Sequence, residues 1–413
     1  MTLDQSGPEP PYGLWVSPLT PKSMSQGLRL SDVQWDTDGK QLVWLEGRSD
    51  RGVLATARVG QAPNDLTTDL SVRAMVGYGG GDFTVAHGHV VFSAGGRLYR
   101  QPLSAGPAQA ITPGYGACAS PTVSPDGKWV AYVHSYERRE AVGLVDVGGE
   151  HWPTKILSGD DFYMQPAWHP GGELLSVVAW NHPQMPWDGA EVRLLQLDTT
   201  GRVPELTEVK TIAGGDEVAC FQPIFSPDGR YLAYTSDATG WGQVYLYEIE
   251  SGATRQLTHD PAEHAAPAWV QGVRTLAWDA FGTAIYAIRS ESGFRRLWRY
   301  NIEGGGERVA AGGYSSFSAV SASPTEDDVA VIASAPGIPP RIVVVSHGGS
   351  SEPVVVKRAY AESVAPDQFS DAQAVSWTGD EGEEVYGLYY PPAGGQRAER
   401  SELPPAIIMI HGG

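Results

Sequence analysis

Short runs of alternating or continuous apolar residues follow tight turns at nearly regular intervals along most of the chain. The clearest copies are residues 124–133, SPDGKWVAYV, and residues 226–235, SPDGRYLAYT. In each copy Pro presets the first turn torsion, Asp caps the turn, and Gly takes a backbone torsion that other residues resist. The residues after each turn are typical of a β-strand. The pattern therefore predicts many turn-and-strand units and few long helices.

Five looser copies of the same unit occur at residues 36–45, 86–93, 169–178, 279–288 and 323–332. The turn positions are separated by 48 residues on average and lie at Gly39, Gly88, Gly127, Gly172, Gly229, Gly282 and Asp327. A second strand is predicted after each copy, at Val53–Val59, Arg97–Leu103, Val142–Val147, Val192–Asp198, Gln243–Ile249, Arg296–Ile302 and Arg341–Ser346.

Several strands in each unit of roughly 40 to 50 residues are typical of a β-propeller blade. The seven units predict an all-β fold, a seven-bladed β-propeller over residues 20–365, preceded by an N-terminal extension of residues 1–19. A single four-stranded sheet exposes two apolar faces, and radial stacking of blades buries both. A β-sandwich needs a shorter spacing and a β-helix much shorter repeats, so both fit the spacing less well.

The repeat stops at about residue 365, and residues 366–413 are predicted to start an α/β-hydrolase domain that is incomplete in this chain. Residues 373–377 and 385–390 are expected to pair as a hairpin. The apolar run at residues 406–410, AIIMI, is typical of a strand that is covered on both faces in a parallel sheet. The alternative is a last strand that completes a propeller blade.

Net charge and composition limit the classes of binding partner that this chain is expected to have. The 413 residues carry a formal net charge of −19, which disfavours nucleic acid and anionic membranes as partners. Cys118 and Cys220 have no CxxC partner, so they are expected to be reduced thiols. The polar start has no secretory pattern, and a cytoplasmic protein is expected. The sequence does not decide the oligomeric state, and a homo-oligomer is one of the alternatives.

Two charged loops were considered as sites. His259 and His264 flank acidic residues, but they offer no helical i, i+4 pairing of metal ligands. A solvated loop is therefore expected, and no metal or cofactor is expected to bind. The run from Glu137 to Glu140 could meet a substrate terminus, and a solvated hairpin tip is the favoured interpretation.

A propeller of SPDG-type blades, followed by a hairpin and a strand ending in His411-Gly412-Gly413, resembles the prolyl oligopeptidase family of serine peptidases. The resemblance is strongest to its acylaminoacyl-peptidase and dipeptidyl-peptidase-like branch. Residues 180–188, WNHPQMPWD, are similar to a W-x-H-P-x-M-P-W-D segment in the propellers of that branch. The resemblance extends over essentially the whole chain.

The resemblance implies an enzyme that cleaves short peptides by Ser-His-Asp acyl transfer, with the propeller as a size filter and lid. It implies an oxyanion-hole turn at His411, Gly412 and Gly413, with the Gly413 N–H as the donor. The nucleophile motif Gly-x-Ser-x-Gly does not occur in the sequence. The triad is therefore expected beyond Gly413, and the chain as given is expected to be inactive alone.

The loop that follows Trp180 is the candidate interdomain or substrate loop, with the residues Asn181, His182, Met185, Trp187 and Asp188. Its alternative role is to pack inside the propeller and fix strand geometry.

For the whole protein, the second hypothesis is a non-enzymatic propeller that binds partners, of the translocation-associated type. A propeller lyase or glycosidase is a third, but the clustered carboxylates or metal ligands that it would need are not evident in the sequence.

Overall fold

The computed structural model describes residues 19–104, 106–346, 352–362, 364–393 and 405–410. These residues form seven four-stranded antiparallel sheets, each built from one contiguous stretch of chain, and one two-stranded hairpin. The seven sheets are the blades of a β-propeller, and the fold expected from the repeat is confirmed. Among the described residues, no helix is both long and apolar enough to cross a membrane.

The strands of the first four blades run from the innermost to the outermost in chain order. Blade 1 contains β1 (Arg29–Trp35), β2 (Gln41–Arg48), β3 (Arg51–Arg58) and β4 (Asn64–Asp65), and blade 2 contains β5 (Phe83–Ala86), β6 (His89–Ala94), β7 (Arg97–Pro102) and β8 (Gln109–Ala110). Blade 3 contains β9 (Ala117–Val123), β10 (Trp129–Tyr136), β11 (Arg139–Asp146) and β12 (Thr154–Ser158), and blade 4 contains β13 (Phe162–Trp168), β14 (Leu174–Trp180), β15 (Glu191–Asp198) and β16 (Glu205–Ala213).

The last three blades follow the same order. Blade 5 contains β17 (Cys220–Phe225), β18 (Tyr231–Ser236), β19 (Gln243–Glu248) and β20 (Thr254–Gln256), blade 6 contains β21 (Leu276–Trp278), β22 (Ala284–Glu291), β23 (Phe294–Asn301) and β24 (Gly306–Arg308), and blade 7 contains β25 (Ser316–Ala322), β26 (Asp328–Ala335), β27 (Ile338–Ser346) and β28 (Val354–Arg358).

Outside the blades, a one-turn helix α1 (Pro21–Ser25) precedes blade 1, and a 3-10 turn (Pro366–Gln368) follows blade 7. The predicted hairpin is present as β29 (Gln373–Thr378) and β30 (Glu384–Tyr389). Residues 405–410, by contrast, form no strand in the structure, and Ile407–Ile410 are 85–91% exposed. A strand of a parallel sheet needs paired neighbours on its edges, and the described residues supply none to this run.

The SPDG turns are held by their own side chains. The Ser124 hydroxyl donates to Asp126 at 2.6 Å and accepts the N–H of Trp129 at 2.9 Å. The turn starting at Ser226 repeats both bonds. Gly127 has φ +72, in the left-handed region where a Cβ is unfavourable. In blades 3 and 5 the turn chemistry thus fixes where the first strand ends and the second begins.

Tryptophans at the ends of three innermost strands join neighbouring blades. The indole N–H of Trp35 in blade 1 donates to the backbone carbonyl of Ser321 in blade 7 at 3.1 Å. Trp168 and Trp278 make the same bond, each at 3.1 Å, to the innermost strand of the preceding blade. The bond from Trp35 therefore joins the first blade to the last and contributes to closing the ring.

The antiparallel order of each blade defines two faces. The SPDG-type turns lie on one face. The connections between second and third strands, and those between successive blades, lie on the opposite one, here called the loop face. The candidate loop between β14 and β15 lies on the loop face. The hairpin lies there too, since Leu388 packs against Gly293 in the β22–β23 turn.

Residues 270–275, here called the axial segment, run across the ring from the connection after blade 5 to β21. The side-chain amide of Gln271 donates to the carbonyl of Tyr163 in blade 4 at 2.9 Å and accepts from the hydroxyl of Ser120 in blade 3 at 2.7 Å. Its backbone N–H donates to the carbonyl of Gly79, in the connection before blade 2, at 2.7 Å. The segment therefore reaches the side of the ring opposite blade 6.

Arg274 fixes the other end of the axial segment. Its guanidinium forms an ion pair with Asp32 and donates to the carbonyl of Val33 in blade 1 at 2.6 Å. It also donates to the carbonyl of Val320 in blade 7 at 3.2 Å. With these bonds the segment touches innermost strands on both sides of the ring and crosses the propeller axis. The axial segment therefore lies across the middle of the ring, where a propeller otherwise has an open channel.

Candidate functional site

The candidate loop is anchored at its start by two aspartates of the preceding connection. The Asn181 side chain accepts the N–H of Asp161 at 2.8 Å and donates to Asp160 at 2.9 Å. The N–H of His182 donates to the Asp161 carboxylate at 2.9 Å. Asp160 also receives a bidentate ion pair from Arg193, at 2.5 and 2.8 Å. Burial raises the pKa of Asp160, but the bonds from Arg193, Asn181 and Tyr163 outweigh it and hold that pKa below its usual value.

Aromatic rings support the middle of the loop. Phe162 stacks on Trp180 with ring centroids 5.1 Å apart, and His182 meets Phe162 edge-on at 5.0 Å. Tyr78, from the connection before blade 2, packs edge-on against both aromatic rings at 5.3 Å. Its hydroxyl lies 3.6 Å from the sulfur of Met185. Aromatic pairs of this kind stabilise a fold by more than the burial of their apolar surface alone. The base of the loop is therefore held firmly against the propeller.

The second half of the loop is a compact turn that projects Trp187. The N–H of Asp188 donates to the carbonyl of Met185 at 2.9 Å, and the Asp188 carboxylate accepts the N–H of Met185 at 3.3 Å. Pro186 is buried, while Trp187 is 39% exposed. The base of the loop therefore packs on the propeller and its tip stays accessible, and the interdomain or substrate role of the loop stays a prediction.

A cavity of about 320 Å³ opens on the loop face beside this tip. One wall is formed by Pro186 and Trp187, and the opposite side by the connection between blades 5 and 6, residues 263–268. Phe221 and three alanines of that region make much of the lining apolar. The remaining lining includes Asp237, Glu263 and the exposed Arg295. The cavity is therefore an apolar pocket with two carboxylates and one guanidinium.

Both carboxylates are held by backbone bonds. Asp237 accepts the N–H of Ala219 at 2.8 Å, and Glu263 accepts the N–H of Gly242 at 3.0 Å. The backbone of Glu263 pairs in both directions with Ser290 of blade 6, at 3.1 and 2.7 Å. Burial and the neighbouring Asp237 charge raise the pKa of Glu263. A positive group between the two carboxylates would offset both the cost of burying the Glu263 charge and its repulsion by Asp237.

Neither carboxylate was predicted to belong to a site: Glu263 is one of the acidic residues between His259 and His264, for which a solvated loop was expected. Asp237 and Glu263 are 26 residues apart and lie in different connections, so only the blade order brings them together. The one local signal is the small-residue run at residues 265–268, AAPA, which leaves room for a cavity.

Two sequence expectations need correction. His264 is fully buried and bonds the hydroxyl of Tyr300 at 2.8 Å, and burial lowers its pKa to about 4. The expectation of a solvated loop was wrong for His264, because its ring fills space between blades 5 and 6. Among the described residues, no group of three or more His, Cys, Asp or Glu is placed to hold a metal.

The charged run at residues 137–140 is the second correction. Glu137 and Arg138 form an exposed hairpin tip, as expected, but Glu140 is buried. It accepts the N–H of Tyr163 at 3.0 Å and thereby links blade 3 to blade 4. Burial raises the pKa of Glu140 to about 7, against the opposing effect of bonds from Tyr163 and Gly77. Both cysteines are buried.

The remaining candidates, His411, Gly412 and Gly413, lie outside the described residues. Their proposed oxyanion role stays a prediction.

The fold of this chain is similar to those of several solved peptidases and hydrolases. The chain is similar to a puromycin-hydrolyzing peptidase of Mycobacterium tuberculosis, with 26% identity, a TM-score of 0.83, and coverage of 96% of this chain and 64% of that one. It matches a puromycin hydrolase at 24% identity and a TM-score of 0.85, over 98% of this chain and 65% of that one. A prolyl endopeptidase structure matches at 11% identity and a TM-score of 0.62, over 88% and 54%. The chain thus spans somewhat less than two thirds of each of these proteins.

Sequence comparison gives shorter matches. A putative tricorn protease homologue of Streptomyces coelicolor is 46% identical over 66 residues, which is 16% of this chain and 5% of that protein. A TolB homologue of Chlorobium luteolum is 23% identical over 158 residues, which is 38% of this chain and 33% of that protein. No family model matches the sequence.

Proposed function

Because this chain has the propeller of the prolyl oligopeptidase family of peptidases, we propose that it is the substrate-gating part of a serine peptidase that cleaves short peptides. The observation that carries the proposal is the match to the puromycin-hydrolyzing peptidase of M. tuberculosis over 96% of this chain at 26% identity. The activity belongs to the complete protein, in which a hydrolase domain supplies the Ser-His-Asp triad. We place that protein in the cytoplasm.

The geometry of the loop face supports a gating role. The candidate loop, the cavity and the β29–β30 hairpin all lie on this face. A hydrolase domain that follows the hairpin would cover the same face and enclose a space between the two domains. Since the axial segment crosses the propeller axis, a substrate would enter that space from the side. Such a space admits short peptides and excludes folded proteins.

Substrate type is the finer part of the proposal. The acylaminoacyl-peptidase and dipeptidyl-peptidase-like types share the architecture and differ in the substrate terminus that they accept. In either case the turn at residues 411–413 would donate backbone N–H groups to the oxyanion of the tetrahedral intermediate. A glycine there lets the backbone approach the substrate closely.

Labelling with a serine-directed fluorophosphonate tests the proposal. The complete product of the reading frame that contains these residues should be labelled and should hydrolyse aminoacyl or acyl-aminoacyl chromogenic substrates. The 413-residue chain is the matched control and should show neither, because it has no nucleophile motif. Labelling of the 413-residue chain, or an unreactive complete product, would contradict the proposal.

A second candidate function is a non-enzymatic propeller that binds a partner. The match to a TolB homologue over 38% of this chain favours it. It predicts that the complete product is not labelled, so the same experiment separates the two functions.

A further inference from the structure

The outermost strand of blade 4 is longer than the outermost strands of the other blades. β16 (Glu205–Ala213) has nine residues, whereas the other six outermost strands, β4, β8, β12, β20, β24 and β28, have two to five. In the described part of the chain β16 pairs with β15 alone, so its outer row of backbone N–H and C=O groups has no strand partner. Proteins commonly keep such edges short. The length of β16 therefore distinguishes it as an edge to which a further strand can pair.

The middle of β16 is accessible and regular. Residues 207–211 are all exposed, and Val209 at their centre is 40% exposed. β16 keeps an unbroken register with β15 from Glu208 to Thr211, and the register shifts fall outside that stretch, at Thr207 and Ile212. A partner strand can therefore pair with the four central residues without meeting a bulge.

The sequence of this stretch is self-complementary for antiparallel pairing. In an antiparallel pair, directly opposed residues either both turn their N–H and C=O groups toward the partner strand or both turn them away. Two copies of one strand related by a two-fold axis therefore oppose residues that are an even number of positions apart, and the axis passes through a residue.

The charges select one register. With the axis at Val209, Glu208 of one copy lies opposite Lys210 of the other, Lys210 lies opposite Glu208, and the two valines face each other. With the axis at Glu208 or at Lys210, two like charges would lie directly opposite, which is destabilising. The register about Val209 is therefore favoured in the regular stretch.

We propose that β16 is a self-association edge, to which a second copy of this chain adds its own β16 in the antiparallel register about Val209. The two Glu208–Lys210 pairs supply the charge complementarity of the interface, and the two valines cover each other. Because a two-fold axis relates the copies, the contact closes on itself and gives a dimer instead of a filament. The inference goes beyond the proposed function and does not depend on it.

The surroundings of Lys210 are compatible with this pairing. Its ammonium donates to the hydroxyl of Tyr247 in blade 5 at 2.9 Å, which holds the side chain on the blade 5 side of β16. Glu208 lies two residues away along the strand and therefore on the same side. An ammonium has three donors, so Lys210 can keep its bond to Tyr247 and also reach Glu208 of the second copy.

The antiparallel arrangement leaves both loop faces accessible. β16 runs toward the loop face, because the connection to blade 5 that follows it lies there. Two antiparallel copies therefore present their loop faces on opposite sides of the dimer, where each copy can carry a hydrolase domain.

Sedimentation velocity of the 413-residue chain, over a range of protein concentrations at low ionic strength, tests the proposed edge. The wild-type chain should form a dimer. Glu208→Lys and Lys210→Glu each place two pairs of like charges opposite each other, and each should weaken dimerisation by at least about tenfold. An equimolar mixture of the two variants again opposes unlike charges and should dimerise about as well as wild type.

Arg308→Glu is the control for net charge. Arg308 is exposed on β24, the outermost strand of blade 6, and its reversal changes the net charge by the same amount as Lys210→Glu. Alone, this variant should dimerise as wild type does. Mixed with Glu208→Lys, it should associate more weakly than the complementary mixture, because one pair of like charges remains. Thermal unfolding establishes that each variant is folded.

A wild-type chain that stays monomeric at the highest concentration measured would overturn the inference. A dimer that survives both single variants would also overturn it, as would a complementary mixture that associates no better than the control mixture. Association of that kind would be assigned to another surface, such as the exposed run Ile407–Ile410.

Discussion

The hydroxyl of Ser120 donates a 2.7 Å hydrogen bond to the side-chain carbonyl of Gln271, which joins blade 3 to the axial segment arriving from blade 5. Both residues are buried. Because Ser120 lies in blade 3 and the segment arrives from the connection after blade 5, this bond shows that the segment runs across the ring. We therefore expect a substrate of the complete protein to enter the proposed interdomain space from the side, near the candidate loop and the cavity.

Gln271→Ala should destabilise the propeller by about 1–3 kcal/mol, because it leaves the buried hydroxyl of Ser120 and carbonyl of Tyr163 without their partner. Urea unfolding measures the change. Gln61→Ala, at an exposed turn after β3, is the control and should stay within about 0.5 kcal/mol of wild type. Equal stability of the two variants would show that the axial segment is not held by this side chain.

Trp187→Ala should cost the 413-residue chain less than about 1 kcal/mol, since the indole is partly exposed at the tip of the loop. Trp44→Ala removes a fully buried indole of β2 and should cost about 3–5 kcal/mol in the same assay. In the complete protein we expect Trp187→Ala to impair peptide cleavage as well. A loss of several kcal/mol in the 413-residue chain would mean that Trp187 serves only the packing of its own blade.

Glu140 should make stability fall as pH rises. Its folded pKa of about 7 lies above the ordinary value of 4.5, so the fold favours the protonated carboxyl. The stabilisation from this group is complete below about pH 4.5 and is lost as pH rises through about 7. Relative to Glu140→Gln, wild type should lose about 3 kcal/mol between about pH 4 and about pH 8. Parallel pH profiles for the two proteins would contradict the raised pKa.

The blades were predictable because each is a local unit. Turn residues such as Asp126 and Gly127 act on their own neighbours, and strand alternation follows from which face is buried. The predicted strand Val192–Asp198 lies within one residue of the observed β15, Glu191–Asp198. The hairpin after blade 7 was predictable for the same reason.

The axial segment and the cavity were not predictable in this way. Nothing in the local pattern at Gln271 indicates that its side chain reaches Ser120, which lies 151 residues earlier in the chain. Burial of Glu140 and His264 likewise depends on neighbouring elements that close over them, Tyr163 in one case and Tyr300 in the other. These contacts form only once the ring of blades is closed. The repeat in the sequence predicts that the ring closes, but it does not predict which side chains then meet.

Removal of residues 366–413 should leave a folded propeller of residues 20–365 and raise its solubility. Ile407–Ile410 are exposed and apolar, and such a run promotes aggregation when nothing covers it. The soluble fraction after expression compares the two lengths. A less soluble shortened protein would indicate that the segment stabilises the propeller, and the predicted domain boundary would move.

The dependence of kcat/KM on peptide length in the complete protein tests the gating role most directly. A series of peptides that share one N-terminal residue and one cleavage site, extended only at the C-terminus, isolates length from sequence. The structure predicts efficient cleavage of short members and a steep fall for long members and for a folded protein with the same terminus, since the axis is closed by Gln271 and Arg274 and entry is from the side. Cleavage of long chains as efficient as that of short ones would contradict the account.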